Sequence, residues 1–325
     1  MRIPSLARPL SALALALGFC SLAHAQADYP NKPVKVMVAL PAGGSADMIA
    51  RVVSQGLGDA LGQSFVVDNK AGGSGQIGMP QVARAPADGY MLTVSPASFL
   101  TTNKSIFKNL AYDPQADFQP ISKLVNQPMV LVVKDVTKFP NVNSVVQQAK
   151  AEPGRLTYAS SGEGSPQHLG ALMFSTRTQS QMLHVPYKGG ANAINDTLAG
   201  NVDMLFAVLP EALPHIQSGK LHALGLMSPQ RSTLLPNVPT MVESGFTDLN
   251  LSAWVGLLAP AQTPADVVAK LNAAVHKVLQ GDIQAKLASG GMEPAPSTPE
   301  ALKATIAADI ALHAELVKAA GIEPQ

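Results

Sequence analysis

The feature that most constrains this chain is a rhythm: a short run of apolar, largely β-branched residues, then a turn, then an amphipathic helical stretch, repeated along most of its length. The runs fall at residues 34–40, 64–68, 91–95, 129–133, 156–159, 183–186, 202–208 and 221–227. Strands that are apolar on both faces and alternate with helices require a largely parallel sheet covered on each side, which is an α/β architecture. The helical stretches carry the complementary pattern. Ile49, Val52, Val53, Leu57 and Leu61 keep a 3.6-residue period between Ser45, a capping residue type, and Gly62, a stop. Further on, Thr263 and Pro264 open a stripe of Val267, Val268, Leu271, Val275 and Leu279. Ser297 and Glu300 form a capping-box pattern ahead of Leu302, Ile306, Ile310 and Val317.

Two extended stretches, 118–133 and 249–258, bracket a middle segment with strands and helices of its own. No Gly/Ser linker separates independent domains, and no repeat with a period of roughly 20–50 residues is present. The expected organisation is therefore two lobes in which the chain crosses over and returns: 26–125 with 251–325 as lobe one, and 126–250 as lobe two. The final helical stretches hold too little strand to stand alone, so they are expected to settle back on an earlier lobe.

The first 25 residues stand apart. Arg2 and Arg8 precede or flank an apolar run over 10–22, and Ala23-His24-Ala25 supplies the small residues read at a cleavage site. This predicts a cleaved signal peptide, a chain starting near Gln26, and a periplasmic location. The one cysteine, Cys20, leaves with it, which removes disulfides, thiol chemistry and Cys-ligated metal. Charge then excludes further classes. Lys and Arg total 23 against 22 acids, and charged residues make up 14% of the chain, so there is no basic face for nucleic acid.

Four strand-to-helix turns are rich in Gly and Ser: 40–47 (LPAGGSAD), 71–78 (AGGSGQIG), 159–168 (ASSGEGSPQH) and 186–193 (PYKGGANA). Such a turn either only reverses the chain and caps the helix, or presents free backbone N–H groups and the positive helix end to an anion. Lys188 is the sole cation within them, which favours a carboxylate held by backbone and hydroxyl donors over a phosphate. Asp47 in its first helical turn is read as pinning its loop. His168 is open between a ligand contact and a backbone contact. Glu163 would repel an anion beside it unless it faces solvent or pairs with an amino group, and Trp254 either lines a cleft or plugs a core. The string 73–78 matches GxGxxG, but Asp68-Asn69-Lys70 separates it from its strand and no acid follows at the ribose position, so a dinucleotide is not expected. Ser105 to Lys108 satisfies SxxK without the companion motifs, and no GxSxG, HExxH or Walker A string occurs.

The stretches AGGSADMIAR, VVDNKAGGSGQIG, APADGYML, YDPQADFQPIS, YASSGEGSPQHL, VPYKGGANAINDTLAGNVDMLF and WVGLLAPAQTP, in that order, resemble the Bug family, the extracytoplasmic solute-binding proteins of tripartite tricarboxylate transporters. The resemblance spans nearly all of the chain beyond residue 25. It implies a periplasmic-binding-protein fold, two α/β lobes joined by two crossing strands, with a small carboxylated solute in the cleft. By resemblance, lobe one contributes Ala42, Gly43, Gly44 and Ser45, with Asp47 shaping that loop and Ser95 closing the wall. Lobe two contributes Ser160, Ser161, Gly162, His168, Lys188, Gly189, Gly190, Asp203 and Ala207. Leu40 and Glu163 depart from the family pattern and bear on the distal end of the ligand. The implied function is capture for a large and a small membrane subunit; a monomer without catalytic residues, metal or cofactor is expected. Delivery to a membrane sensor is the alternative output, and a hydrolase using Ser45 or Ser161 is the competing enzyme reading.

Overall fold

A computed structural model describes residues 29–324, so the expected signal segment lies outside the described residues. Lobe one begins with β1 (Val34–Val38), α1 (Ser45–Leu61), β2 (Phe65–Asn69), a 3-10 turn (Gly73–Gly75), α2 (Met79–Ala83), β3 (Met91–Pro96), α3 (Ala97–Leu100) and α4 (Asn103–Ile106). The long strand β4 (Phe118–Val133) crosses to α5 (Val142–Ala151), β5 (Thr157–Ser160), α6 (Pro166–Thr178), β6 (Leu183–Pro186), α7 (Gly190–Ala199), β7 (Met204–Val208), α8 (Leu209–Gln217) and β8 (His222–Leu226). The chain returns on β9 (Ser252–Pro260) and ends with α9 (Ala265–Val278), α10 (Gly281–Ser289), β10 (Glu293–Pro294) and α11 (Pro299–Ala319).

The strands run β2-β1-β3-β9-β4-β7-β5-β6, with β8 and β10 added to β4. Each lobe has a parallel centre, β2-β1-β3 in one and β7-β5-β6 in the other, as continuous apolar strands between helices demand. The middle of the fold departs from the parallel pattern. There β9 pairs antiparallel with β3 and β4, and β4 pairs antiparallel with β7 and β8. A strand that leaves a lobe and one that returns to it must run in opposite senses, so the two crossings are antiparallel to one another. The 16 residues of β4 serve both sheets: Phe118 to Pro128 pair with β9, and Met129 to Val133 pair with β7.

Strand alternation assigns each face its own core. In β1, Val34, Val36 and Val38 face α1 and α9, packing on Ile49, Val53, Leu57 and Leu271, while Met37 and Ala39 join Met79, Val82, Trp254 and Leu258 on the other side. In β4 and β7, Met129, Leu131, Val133, Met204, Phe206 and Val208 pack with α6, and Val130, Val132, Leu205 and Ala207 pack with Ile194, Ala212 and Leu213. Trp254 is core, 3% exposed, with its indole N–H donating to Asp309 at 2.7 Å. Most of the 71–78 string is architectural, with Ser74 alone of it lining the cavity described below. Gly72, Gly73 and Gly75 have positive φ, and a Cβ on Gly75 would fall 2.6 Å from the Phe99 ring.

Helix α11 departs from the expectation that the last segment belongs to lobe one alone. Leu302 and Ile306 pack with the Trp254 core, but Leu316 and Val317 are seated in the core of α6 and β7, with Arg177–Glu315 paired at 3.2 Å between α6 and α11. Caps also move by one residue: Thr298, not Ser297, accepts from the N–H of Ala301 at the start of α11, and Pro264, not Thr263, occupies the cap position of α9.

Candidate functional site

Residues at or just past the carboxyl ends of β1, β3, β5, β6 and β7 line a common space, as is usual for ligand sites in α/β folds. That space is a cavity of about 410 Å³ lined from lobe one by Leu40, Ser45, Ser74, Pro96, Ser98, Phe99, Asn103 and Ile106, and from the crossing strand by Gln127. Lobe two supplies Ser161, Glu163, Gly164, Ser165, Pro166, Gln167, Gly189, Gly190, Val208 and Glu211. A volume of this size fits a small molecule.

Three helices open onto it with cap residues that offer no side-chain acceptor. Gly44 precedes α1, Gly189 precedes α7 and Val208 precedes α8, and none makes a side-chain cap hydrogen bond. The first N–H groups of a helix have no partner inside the helix, so these ends present donors and positive potential together. At α1 the expectation that Ser45 is the cap is corrected. Gly44 is the cap and Ser45 is the first helical residue, which turns the Ser45 N–H into a donor and places Ser45 in the cavity wall. No Lys or Arg lines the cavity among the described residues.

The α1 loop is held rigid by a chain of polar contacts. The Asp47 carboxylate accepts from the Gly43 N–H at 2.9 Å and from Arg51 Nε at 3.0 Å. Arg51 in turn donates to Asn69 Oδ1, and the Asn69 amide donates to the Leu40 carbonyl. Burial alone would raise the Asp47 carboxyl, but the hydrogen bonds from Arg51 and Gly43 with the Arg51 charge outweigh it and hold it below the usual carboxylate range. Gly43, at φ +88°, takes the left-handed conformation the turn requires.

In lobe two the 159–168 loop is braced from behind by rings. The His168 and His184 rings stack 4.0 Å apart, with Tyr158 4.9 Å from His184. His168 Nδ1 accepts from the Gly164 N–H at 3.1 Å, and Ser160 Oγ lies 2.6 Å from His184 Nε2. Burial, reinforced by the neighbouring His184, pushes His168 down to about 3, so it is neutral and its bond to Gly164 is that of an acceptor. On the cavity side, Ser161 Oγ donates to Gln167 Oε1 at 2.8 Å and Gln167 Nε2 donates to Glu211 at 3.0 Å. Burial raises the Glu211 carboxyl, against the pull of the Gln167 hydrogen bond.

The structure thus brings Ser45, Ser161, Gly189 and Gly190 to the cavity and sets the turn Ala42, Gly43 and Gly44 directly ahead of Ser45. Asp47 has its shaping role. Several other expected residues are displaced from the wall. Ser95 spends its hydroxyl on the Pro96 carbonyl, leaving Pro96, Ser98 and Phe99 as the wall. Ser160, Gly162 and His168 shape their loop from behind: Gly162 donates its N–H to Ser160 Oγ, and His168 is 3% exposed. Lys188 is exposed and lies outside the wall. Asp203 is at the opposite end of β7, where it accepts from Thr157 and pairs with Lys138 at 2.6 Å. A strand advances about 3.3 Å per residue, so the five steps to Val208 separate it from the cavity. Ala207 points into the Val130 core, because alternation gives the cavity to its neighbour Val208.

Gln127, Gln167 and Glu211, with Ser98 and Asn103, are polar wall residues that the sequence reading did not single out. Glu211 has a sequence signal: Leu209-Pro210-Glu211 is a strand-to-helix turn with Pro in the first turn, fainter than the other four because it lacks glycine. Gln127 has none, since nothing local distinguishes a glutamine facing a cleft from one facing solvent. Among the described residues, no group of three or more His, Cys, Asp or Glu is placed to hold a metal, and no helix is long and apolar enough to cross a membrane.

Comparison with known proteins follows the same lines. The family described as "Tripartite tricarboxylate transporter family receptor" matches residues 49–322. Protein BugT of Bordetella pertussis is 36% identical over 295 residues, covering 90% of each chain. The solved structure of R. palustris Rpa4515 with adipate superposes with a TM-score of 0.82 at 33% identity, covering 92% of this chain and 100% of the other. The periplasmic binding protein BugD superposes with a TM-score of 0.77 at 35% identity, covering 91% of this chain and 100% of the other.

Proposed function

Because the chain belongs to the tripartite tricarboxylate transporter receptor family, we propose that it captures a small carboxylate-bearing solute between its lobes and presents it to the large and small membrane subunits of such a transporter. The observation that carries this reading is the convergence of three helix N-termini without side-chain caps on one cavity that no Lys or Arg lines. Backbone donors at helix ends suit a carboxylate and leave no need for a cationic cluster. Adipate in the related structure is a ligand of this chemistry. Family membership supports a periplasmic location, and the basic and apolar segment ending at Ala25 is the export signal in this reading.

The lobes we assign are 26–125 with 251–325, and 126–250, with α11 strapped across both. A ligand touching both walls makes its full set of contacts only when they approach, so it shifts the population toward a closed form. The protein acts as a binder and not an enzyme in this reading. Ser161 is bonded to an amide that is no base, and Ser160, which does meet a histidine, is fully buried behind the wall.

A thermal-shift screen tests the proposal, using protein unfolded and refolded to strip carried-over solute. Mono-, di- and tricarboxylic, amino and aromatic acids form the panel. Ligand at 100 times its Kd adds about 2.7 kcal/mol, which for a chain of this size raises Tm by roughly 5 °C. A shift for one acid class, with the acid recovered unchanged, is the expected result. A folded sample that none of them stabilises would overturn the assignment.

A further inference from the structure

Carboxylate capture accounts for the helix ends but not for the acids in the same wall. Glu163 and Glu211 both line the cavity, and no Lys, Arg or His does so among the described residues. A second carboxylate on the solute would enter a space that already holds two carboxyl groups on its lobe-two side. Glu211 is also held in place. Gln167 is committed at both ends, to Ser161 and to Glu211, and this orients the carboxylate while using one of its roughly four acceptor positions. Gly190 makes room for it, since a Cβ there would sit 2.4 Å from Glu211 Oε2.

Gln127 supplies an independent observation. It lines the same cavity from the crossing strand, is 5% exposed, and its Nε2 has no hydrogen-bond partner. A buried amide donor left open in a cleft calls for an acceptor from the ligand. The wall therefore asks for both kinds of group from one molecule: an acceptor for Gln127 and the helix N–H groups, and a donor for Glu211.

Resting on the capture reading above, we propose that the solute is a zwitterion, an amino acid whose carboxylate takes the N–H donors, Gln127 among them, and whose ammonium is received by Glu211. A dicarboxylate meets the first set and is repelled by the second. The test is calorimetry on the refolded protein with matched pairs: succinate beside 4-aminobutyrate, glutarate beside 5-aminopentanoate, adipate beside 6-aminohexanoate, and succinate and glutarate again beside aspartate and glutamate. In at least one pair the amine-bearing member binds about tenfold or more tightly, and Glu211→Gln erases that margin while leaving the ligand-free Tm unchanged. Gln127→Leu weakens the preferred ligand by about tenfold. If the plain dicarboxylate binds as well or better in every pair, the zwitterion inference is overturned and carboxylate capture stands. If no acid of either kind binds a folded sample, both fall. Unchanged affinity in Gln127→Leu removes the donor half, and should Glu211→Gln shift the ligand-free Tm, the ranking within the wild-type pairs decides.

Discussion

At the scale of single residues, the site is built by side chains that do not touch the cavity. His168, His184 and Ser160 hold the 159–168 loop from behind, and Asp47 with Arg51 and Asn69 holds the α1 loop. Buried neutral histidines have a pH signature with a definite sign. His168 falls from 6.5 to about 3 through burial and His184, and His313 falls from 6.5 to about 4 through burial. Below 6.5 the unfolded chain takes up protons that the folded chain refuses, so stability drops as pH falls and is independent of these groups above that value. The expected slope is about 1.4 kcal/mol per pH unit for each histidine. Denaturant unfolding at pH 7, 6 and 5 should show it, and His168→Gln should flatten the curve by about one proton. An unchanged slope would mean that His168 is charged in the fold.

At the scale of elements, the decisive feature is a helix start. Gly44 has φ −80° and ψ 173°, an extended geometry that also suits a residue before proline. Ser45→Pro therefore keeps α1, whose first position favours proline, while deleting the N–H of a residue that lines the cavity. Affinity for the preferred acid is expected to fall about 10–100-fold, the worth of a hydrogen bond to a charged group, with Tm nearly unchanged. Calorimetry beside a melting curve separates the two effects, and full affinity would take the α1 terminus out of the site. The elements were the most legible part of the sequence. All eight apolar runs are strands and the 3.6-residue stripes are helices, because both periodicities are written locally. Cap positions slipped by one at α1, α9 and α11, where adjacent Ser, Thr, Gly or Pro residues compete for the same role.

At the scale of the whole molecule, two crossing strands and one helix connect the lobes. Leu316 reaches the α6 and β7 core from a helix whose first turns pack beside Trp254 in the other lobe. Leu316→Ala is expected to cost about 2–5 kcal/mol and to lower the midpoint reported by Trp254 fluorescence, although the two residues lie in different cores. A fluorescence midpoint that stays fixed while the circular-dichroism midpoint falls would show that α11 does not couple the lobes.

What the sequence by itself determined is what depends on neighbours along the chain: strands, helices, Gly-rich turns, the Asp47 loop, and a family resemblance carried by ordered motifs. Tertiary structure alone decided which of those residues meet. It sent Asp203 to the far end of β7, turned Ala207 into the core and Val208 into the cavity, and set His168 behind its loop. It also brought Gln127, Gln167 and Glu211, from a crossing strand and two helices, to a single wall. A strand's two faces and two ends differ only in what the rest of the molecule places beside them, and that information resides in long-range packing rather than in local pattern.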